Sequence, residues 1–112
     1  MTVQEFKDKL CENLNVPVYH ILAVPDAECP VLCWQELGVT SEYGDDIPVA
    51  NVTICQLDYF TEKEYDDTPG TIQLALEDMD VKYQFDGMTY DNEREEWRYI
   101  WTVQFLGGGA NG

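Results

Sequence analysis

Apolar and polar positions repeat along this chain with two different periods, and the changes of period mark its elements. Near the start, Val3, Phe6, Leu10 and Leu14 recur at helical spacing, with Lys7, Asp8, Lys9 and Glu12 on the other side. Thr2 and Glu5 stand in capping-box spacing, where hydroxyl and carboxylate satisfy the first free amides of a helix. The pattern predicts an amphipathic helix over 3–14, ended by Asn15 and Pro17.

The period then falls to that of strands. Residues 16–22 (VPVYHIL) read as a short strand, 23–30 as a turn with two prolines, and 31–36 (VLCWQE) as a second strand. The stretch 37–48 (LGVTSEYGDDIP) carries two glycines and an acid pair and reads as a loop. Residues 49–60 (VANVTICQLDYF) form a long strand whose apolar positions change sides: Val52 and Ile54 share one parity, Leu57 and Tyr59 the other. A bulge, or burial on both faces, accounts for the change.

A polar segment, EKEYDD at 62–67, comes next. Thr68 then reads as an N-cap with Pro69 at the first helical position, and Ile72, Ala75, Leu76 and Met79 extend a helix over 69–79. Its acids Glu77, Asp78 and Asp80 gather at the C-terminal end, where the helix dipole disfavours them, so they are expected to serve something outside the helix. Two closing strands, 81–90 and 95–106, form a hairpin turning at Asp91–Asn92. Val81, Tyr83 and Phe85 alternate, and after Gly87 the parity moves to Met88 and Tyr90, which predicts a glycine bulge at Asp86–Gly87. Trp97, Tyr99, Trp101, Val103 and Phe105 share one face; Arg98, Thr102 and Gln104 share the other, with Ile100 the apolar exception.

The order α-β-β-β-α-β-β predicts a single α+β domain over 1–106, an antiparallel sheet with two amphipathic helices packed on it. The remaining residues, 107–112 (GGGANG), read as a flexible tail with nothing to bury. A length of 112 residues, 45% of them hydrophobic, suits one core. No internal repeat is visible.

Charge narrows the partners. Six basic residues against 22 acidic give a net charge of −16 with His20 neutral, a surface that repels nucleic acid and anionic membranes. The chain contains no apolar run long enough to span a bilayer, and MTVQEFKDKL lacks the apolar stretch of a secretory signal, so a cytoplasmic setting is expected. Disulfides are then not expected among Cys11, Cys29, Cys33 and Cys55. Cys29 and Cys33 have a permitted zinc spacing, but a second close pair is missing, and the four read as small buried apolar residues.

Candidate chemistry is sparse. His20 stands in an apolar run with no nucleophile or acid partner that the sequence can name, and reads as structural or surface. Asp45-Asp46, Asp66-Asp67 and Asp78-x-Asp80 could hold a hard cation, but none has the EF-hand spacing, and they read as solvated acids. The expectation is a non-enzyme with no catalytic residue, metal or cofactor.

The layout resembles the small tail-terminator (tail-completion, minor tail) proteins of long-tailed bacteriophages and prophages. An opening amphipathic helix (VQEFKDKLCENL), a long strand (VANVTICQLDYF) running into a polar loop, a central helix (TPGTIQLALEDM) and an aromatic hairpin (MTYDNEREEWRYIWTVQF) carry the likeness over residues 3–106. It rests on layout and involves no catalytic motif. It implies a homo-oligomeric ring, usually a hexamer, that caps the tail tube, stops its polymerisation and meets the head–tail connector while DNA passes through. Such a protein is assembled in the host cytoplasm and ends in the virion. On this reading Asp45, Asp46, Glu62, Glu64, Asp66 and Asp67 are candidates for the lumen or rim, where carboxylates would repel passing phosphates. Tyr43, Tyr65 and Tyr90 are candidate interface aromatics. Two rivals remain: an acidic DNA mimic that inhibits a nuclease, and an acidic immunity protein that binds a basic toxin. A mimic needs carboxylates spaced along one extended face, whereas here they cluster in loops and at a helix end.

Overall fold

In the computed structural model the first helix, α1 (Val3–Asn13), opens with the capping box that the sequence predicts. The Glu5 amide donates to the Thr2 hydroxyl at 3.1 Å, and the Thr2 amide donates to the Glu5 carboxylate at 3.3 Å. The structure describes residues 2–20, 30–44, 47–79 and 81–106, with 39–44 and 47–51 described by backbone only. After α1 come β1 (Val18–His20), β2 (Val31–Gly44), β3 (Ile47–Thr61), α2 (Thr68–Asp78), β4 (Lys82–Asp91) and β5 (Glu96–Leu106). The result is a single α+β domain whose five strands form one sheet in the order β1-β2-β3-β5-β4.

The sheet is mixed, which corrects the antiparallel expectation. β1 runs parallel to β2, with Val18 opposite Leu32 and His20 opposite Trp34, while the other three pairings are antiparallel. Alternation within a strand reports which face is buried and carries no mark of a neighbour's direction, so the sequence pattern could not show this.

A second correction concerns 37–48. β2 runs straight through it to Gly44, and β3 starts at Ile47. Gly38 sits at a register shift of the β2–β3 ladder, between the Glu36 and Gly38 pairings, so this glycine accompanies a bulge and not a turn. Val39, Thr40 and Tyr43 are strand-formers, and they outweigh the glycines as a signal. A third correction is small. Thr68 is already helical, and the cap position belongs to Asp67, whose side chain makes no capping bond.

The core lies on one face of the sheet, under both helices. Along β3 it takes Thr53, Cys55, Leu57, Tyr59 and Thr61, all buried. They oppose Phe105, Val103, Trp101, Tyr99 and Trp97 of β5 in an unbroken register. The parity change seen in the sequence therefore needs no bulge in β3. Thr53 and Cys55 hold the core positions of its first half, and Val52 and Ile54 face the other way. Phe6, Leu10 and Leu14 of α1 and its C-terminal flank, with Ile72, Leu76 and Met79 of α2 and its cap, close the layer. Phe6 meets Trp34 edge-on at 6.1 Å and stacks on Phe105 at 5.1 Å. Each such fully buried side chain stabilises the fold by roughly 1.5–3 kcal/mol. Cys33 and Cys55 are buried, as expected of small apolar residues, but Cys11 is exposed on α1, and Cys29 lies outside the described residues.

Candidate functional site

The helices do not cover the whole core face. Where β4 and β5 approach their connecting turn, the sheet lies bare. The bulge appears where the sequence places it, between the Phe85 and Gly87 pairings, with Gly87 at φ 140°, a conformation that favours glycine. Its effect is to reset parity. Phe85 opposes Trp101 before the bulge, and Met88 and Tyr90 oppose Tyr99 and Trp97 after it, so all three β4 side chains stand on the helix side. None is buried: Phe85 is 45% exposed, Met88 48% and Tyr90 43%. The rings are contiguous, Tyr90 lying 4.7 Å from Trp97 and Phe85 lying 5.4 Å from Trp101 and 6.4 Å from Tyr99. At the other end of β4, the Tyr83 hydroxyl donates to Glu77 at 2.6 Å. That carboxylate raises the Tyr83 phenol above its ordinary value. Glu77 thus serves a strand outside its own helix, as its unfavourable position suggested.

The acidic segment leaves the sheet beside this aromatic face, because Thr61, the last residue of β3, opposes Trp97. Its members divide. Glu62, Glu64 and Asp67 are exposed, as is Tyr65 at 85%. Asp66 is turned to the protein: it accepts from the Tyr59 hydroxyl at 2.7 Å and from the Thr68 amide at 2.8 Å. Burial alone would raise the Asp66 pKa, but these donors, Tyr59 foremost, bring it down to about 2. Burial, reinforced by the Asp66 charge, pushes Tyr59 up to about 12. Asp66 therefore ties the start of α2 to the sheet.

The opposite face of the sheet holds a cluster that the sequence pattern did not single out. Asp58, only 4% exposed, accepts from the Gln56 amide at 3.0 and 3.1 Å and pairs with Arg98 Nη2 at 3.2 Å. The Arg98 guanidinium lies 5.8 Å from the centroid of the Phe60 ring. Beside it a cleft of about 670 Å³ is lined by Phe60, Thr89, Arg94, Glu96 and Arg98 among others. It contains both arginines of the chain, yet each faces a carboxylate, since Arg94 Nε lies 3.4 Å from Glu96. The cleft has no surplus of positive charge to attract an anion. Strand parity puts Asp58 and Arg98 on the side opposite the core residues of their strands, but their pairing depends on the register of β3 against β5.

His20 is placed by β1. Its ring stacks on Trp34 at 4.1 Å, and its Nε2 lies 2.9 Å from Glu36. Burial would raise the Glu36 pKa, but the His20 bond and charge lower it below the ordinary carboxylate value. His20 thus has, on the edge strand of the sheet, an acid partner that the sequence could not name.

Of the candidate residues, Glu62, Glu64 and Asp67 are exposed on the segment that follows Thr61, and Tyr90 stands in the aromatic face. Tyr65 stands free of the core. Asp45 and Asp46 lie outside the described residues, between the ends of β2 and β3, and the side chain of Tyr43 is likewise outside them. Among the described residues no helix is long and apolar enough to cross a membrane, and no group of three metal-ligating side chains assembles. Comparison with models of known protein families and with curated proteins gives no match for this chain.

Proposed function

We propose that the chain is a non-enzymatic structural protein of a long-tailed phage or prophage, a tail terminator whose copies close into a ring between tail tube and head connector. The observation that best supports this is the reach of the β2–β3 hairpin. Its ladder continues to the Gly44–Ile47 pair, whereas β5 accompanies β3 only as far as Val52 and β1 meets β2 only at Leu32 to Trp34. Among the described residues the outer part of the hairpin is thus a two-stranded ribbon with no third strand beside it. Such a ribbon is marginal in water by itself, and its bare edges suit pairing with a neighbouring copy. A contact between two different surfaces of identical chains closes into a ring when the rotation allows. DNA would slide past such a ring without sticking if carboxylates faced the hole. Asp66 is committed to Tyr59 and Thr68, so that role falls on Asp45, Asp46, Glu62, Glu64 and Asp67.

The test is the mass of the purified protein by light scattering at roughly 0.1 M and 1 M salt, where screening should relieve repulsion between copies. The expected result is a closed oligomer of about six copies at high salt, or on addition of tail-tube protein. A monomer at both salts that also ignores tail-tube protein overturns the reading.

A further inference from the structure

We propose that the bare aromatic face at the β4–β5 end is a docking site for a cationic segment of another protein. The apolar side chains of that segment would sit on Phe85, Met88 and Tyr90, and its Lys or Arg groups would lie against the acidic segment 62–67. The first ground is the bulge. Without the reset at Gly87, Met88 and Tyr90 would share the face of Arg98 and Thr89; with it, Phe85, Met88 and Tyr90 stand on one surface, each nearly half exposed. A glycine bulge that keeps large apolar residues together in the open is costly unless something lies on them.

The second ground is charge. On the β3 side the chain leaves Thr61, which opposes Trp97, into the acidic segment, where Glu62, Glu64 and Asp67 are all exposed. The nearby cations do not balance these. Arg98 is on the opposite face with Asp58, Arg94 faces Glu96, and Lys63 alone stands within the acidic segment. A second copy on this face would bring two such borders together between chains of net charge −16. A cationic partner is drawn to it, and its Lys or Arg groups can also stack on the open faces of Tyr90, Trp97 and Tyr99. This inference goes beyond the ring reading and assigns Glu62, Glu64 and Asp67 to a protein partner, which leaves Asp45 and Asp46 for the hole; the mass measurement tests one and a titration the other.

The experiment uses the full chain and two synthetic peptides of equal length and charge, one alternating Lys with Leu and one alternating Lys with Gly. Binding is followed by the Met88 methyl resonance and by tryptophan fluorescence. At about 0.15 M salt the Lys–Leu peptide should bind at least about tenfold more tightly and shift Met88. Met88→Ser with Tyr90→Ser should bring the two peptides to equal affinity. Met88→Gln, which keeps the side chain's length, is the second variant should the double one fold poorly, and it should narrow the difference. Glu62→Gln with Glu64→Gln and Asp67→Asn should weaken both peptides severalfold and flatten their salt dependence. Equal binding by the wild type, or a preference that survives the Met88 and Tyr90 changes, overturns the proposal. So does burial of Met88 and Tyr90 through self-association without peptide, which would make the occupant a second copy.

Discussion

Strand β5 has two halves that differ in only one respect. Trp97, Tyr99, Trp101, Val103 and Phe105 all project to the same side of the sheet. In the second half, Trp101 is 1% exposed, Val103 0% and Phe105 6%, sealed by α1, α2 and the neighbouring strands. In the first half, Trp97 and Tyr99 are only partly covered, and their β4 neighbours Met88 and Tyr90 are nearly half exposed. Residue class and parity are the same, and the difference is whether a helix lies on top. Burial within the chain makes the second half a source of stability, whereas the first half leaves apolar area in water, where a partner could still remove it.

That contrast breaks if both halves respond alike to truncation. Trp101→Ala should cost about 3–5 kcal/mol, because a fully buried indole leaves a cavity that the sheet cannot close. Its indole N–H is buried without a hydrogen-bond partner among the described residues, so Trp101→Phe should cost far less than Trp101→Ala. The check is the midpoint of denaturant unfolding for each variant. A Trp101→Ala loss below about 1 kcal/mol would mean that this half is no more a core than the other.

The contrast also shows what the sequence could tell. The face of β5 was legible, since five residues of one parity leave no other reading, and so was the bulge, because Tyr83 and Phe85 fall out of step with Met88 and Tyr90 across a glycine. What covers the face was not legible, because periodicity within β5 is blind to where α2 ends. The outer part of the β2–β3 hairpin is not legible for a related reason. Gly38 and Gly44 look like loop punctuation, and only the ladder opposite β3 reveals that the first accompanies a bulge in a continuing strand. Of the acidic segment the sequence showed its charge but not its division, since turning Asp66 inward depends on Tyr59, a strand away. The Asp58–Arg98 pair needed the register of β3 against β5, which no single-strand pattern contains.

Asp66 sharpens the comparison from the border between the halves. Asp66→Ala should cost about 2 kcal/mol, as it removes a charged acceptor from Tyr59 and from the first turn of α2. Its folded pKa of about 2 lies below the ordinary 3.8, so it contributes stability above the ordinary value, and that contribution is lost as pH falls through about 2. Acid unfolding should therefore show a component between these values that Asp66→Ala abolishes. Tyr59 has the opposite sign. Held up to about 12 against an ordinary 10.0, it contributes stability below the ordinary value that fades as pH rises through the folded one. Phenolate absorbance should show Tyr59 titrating late, besides the Tyr83 that Glu77 also raises, and Asp66→Ala should move only Tyr59 earlier, although burial will keep it above the ordinary value.

Truncation on the bare side should cost less than in the core. Met88→Ser with Tyr90→Ser should lower stability by about 1–2 kcal/mol, because each side chain already keeps nearly half of its surface in water. Thermal unfolding and solubility check this together, and solubility should rise as the exposed apolar area falls. A loss comparable to that of Trp101→Ala would assign the patch to the core and leave no spare face for a partner.

The smallest effect belongs to the turn that presents this face. Glu95 has φ 55°, in the left-handed region, and it is the only described residue besides Gly87 with positive φ. For a residue with a Cβ that conformation costs roughly 1–2 kcal/mol, part of which glycine gives back by its greater freedom in the unfolded chain. Glu95→Gly should therefore raise stability by about 0.5 kcal/mol, and Glu95→Asn should do the same with less entropy lost. Neither should move the Met88 methyl resonance, because the turn is already anchored by Asp91, which accepts from the Glu93 and Arg94 amides at 3.0 and 3.2 Å. A fall in stability on removing Glu95 would show that its carboxylate helps hold the turn. The acid would then belong to the fold's own framework, as Asp66 does, and the charged border of the aromatic face would be carried by the 62–67 segment.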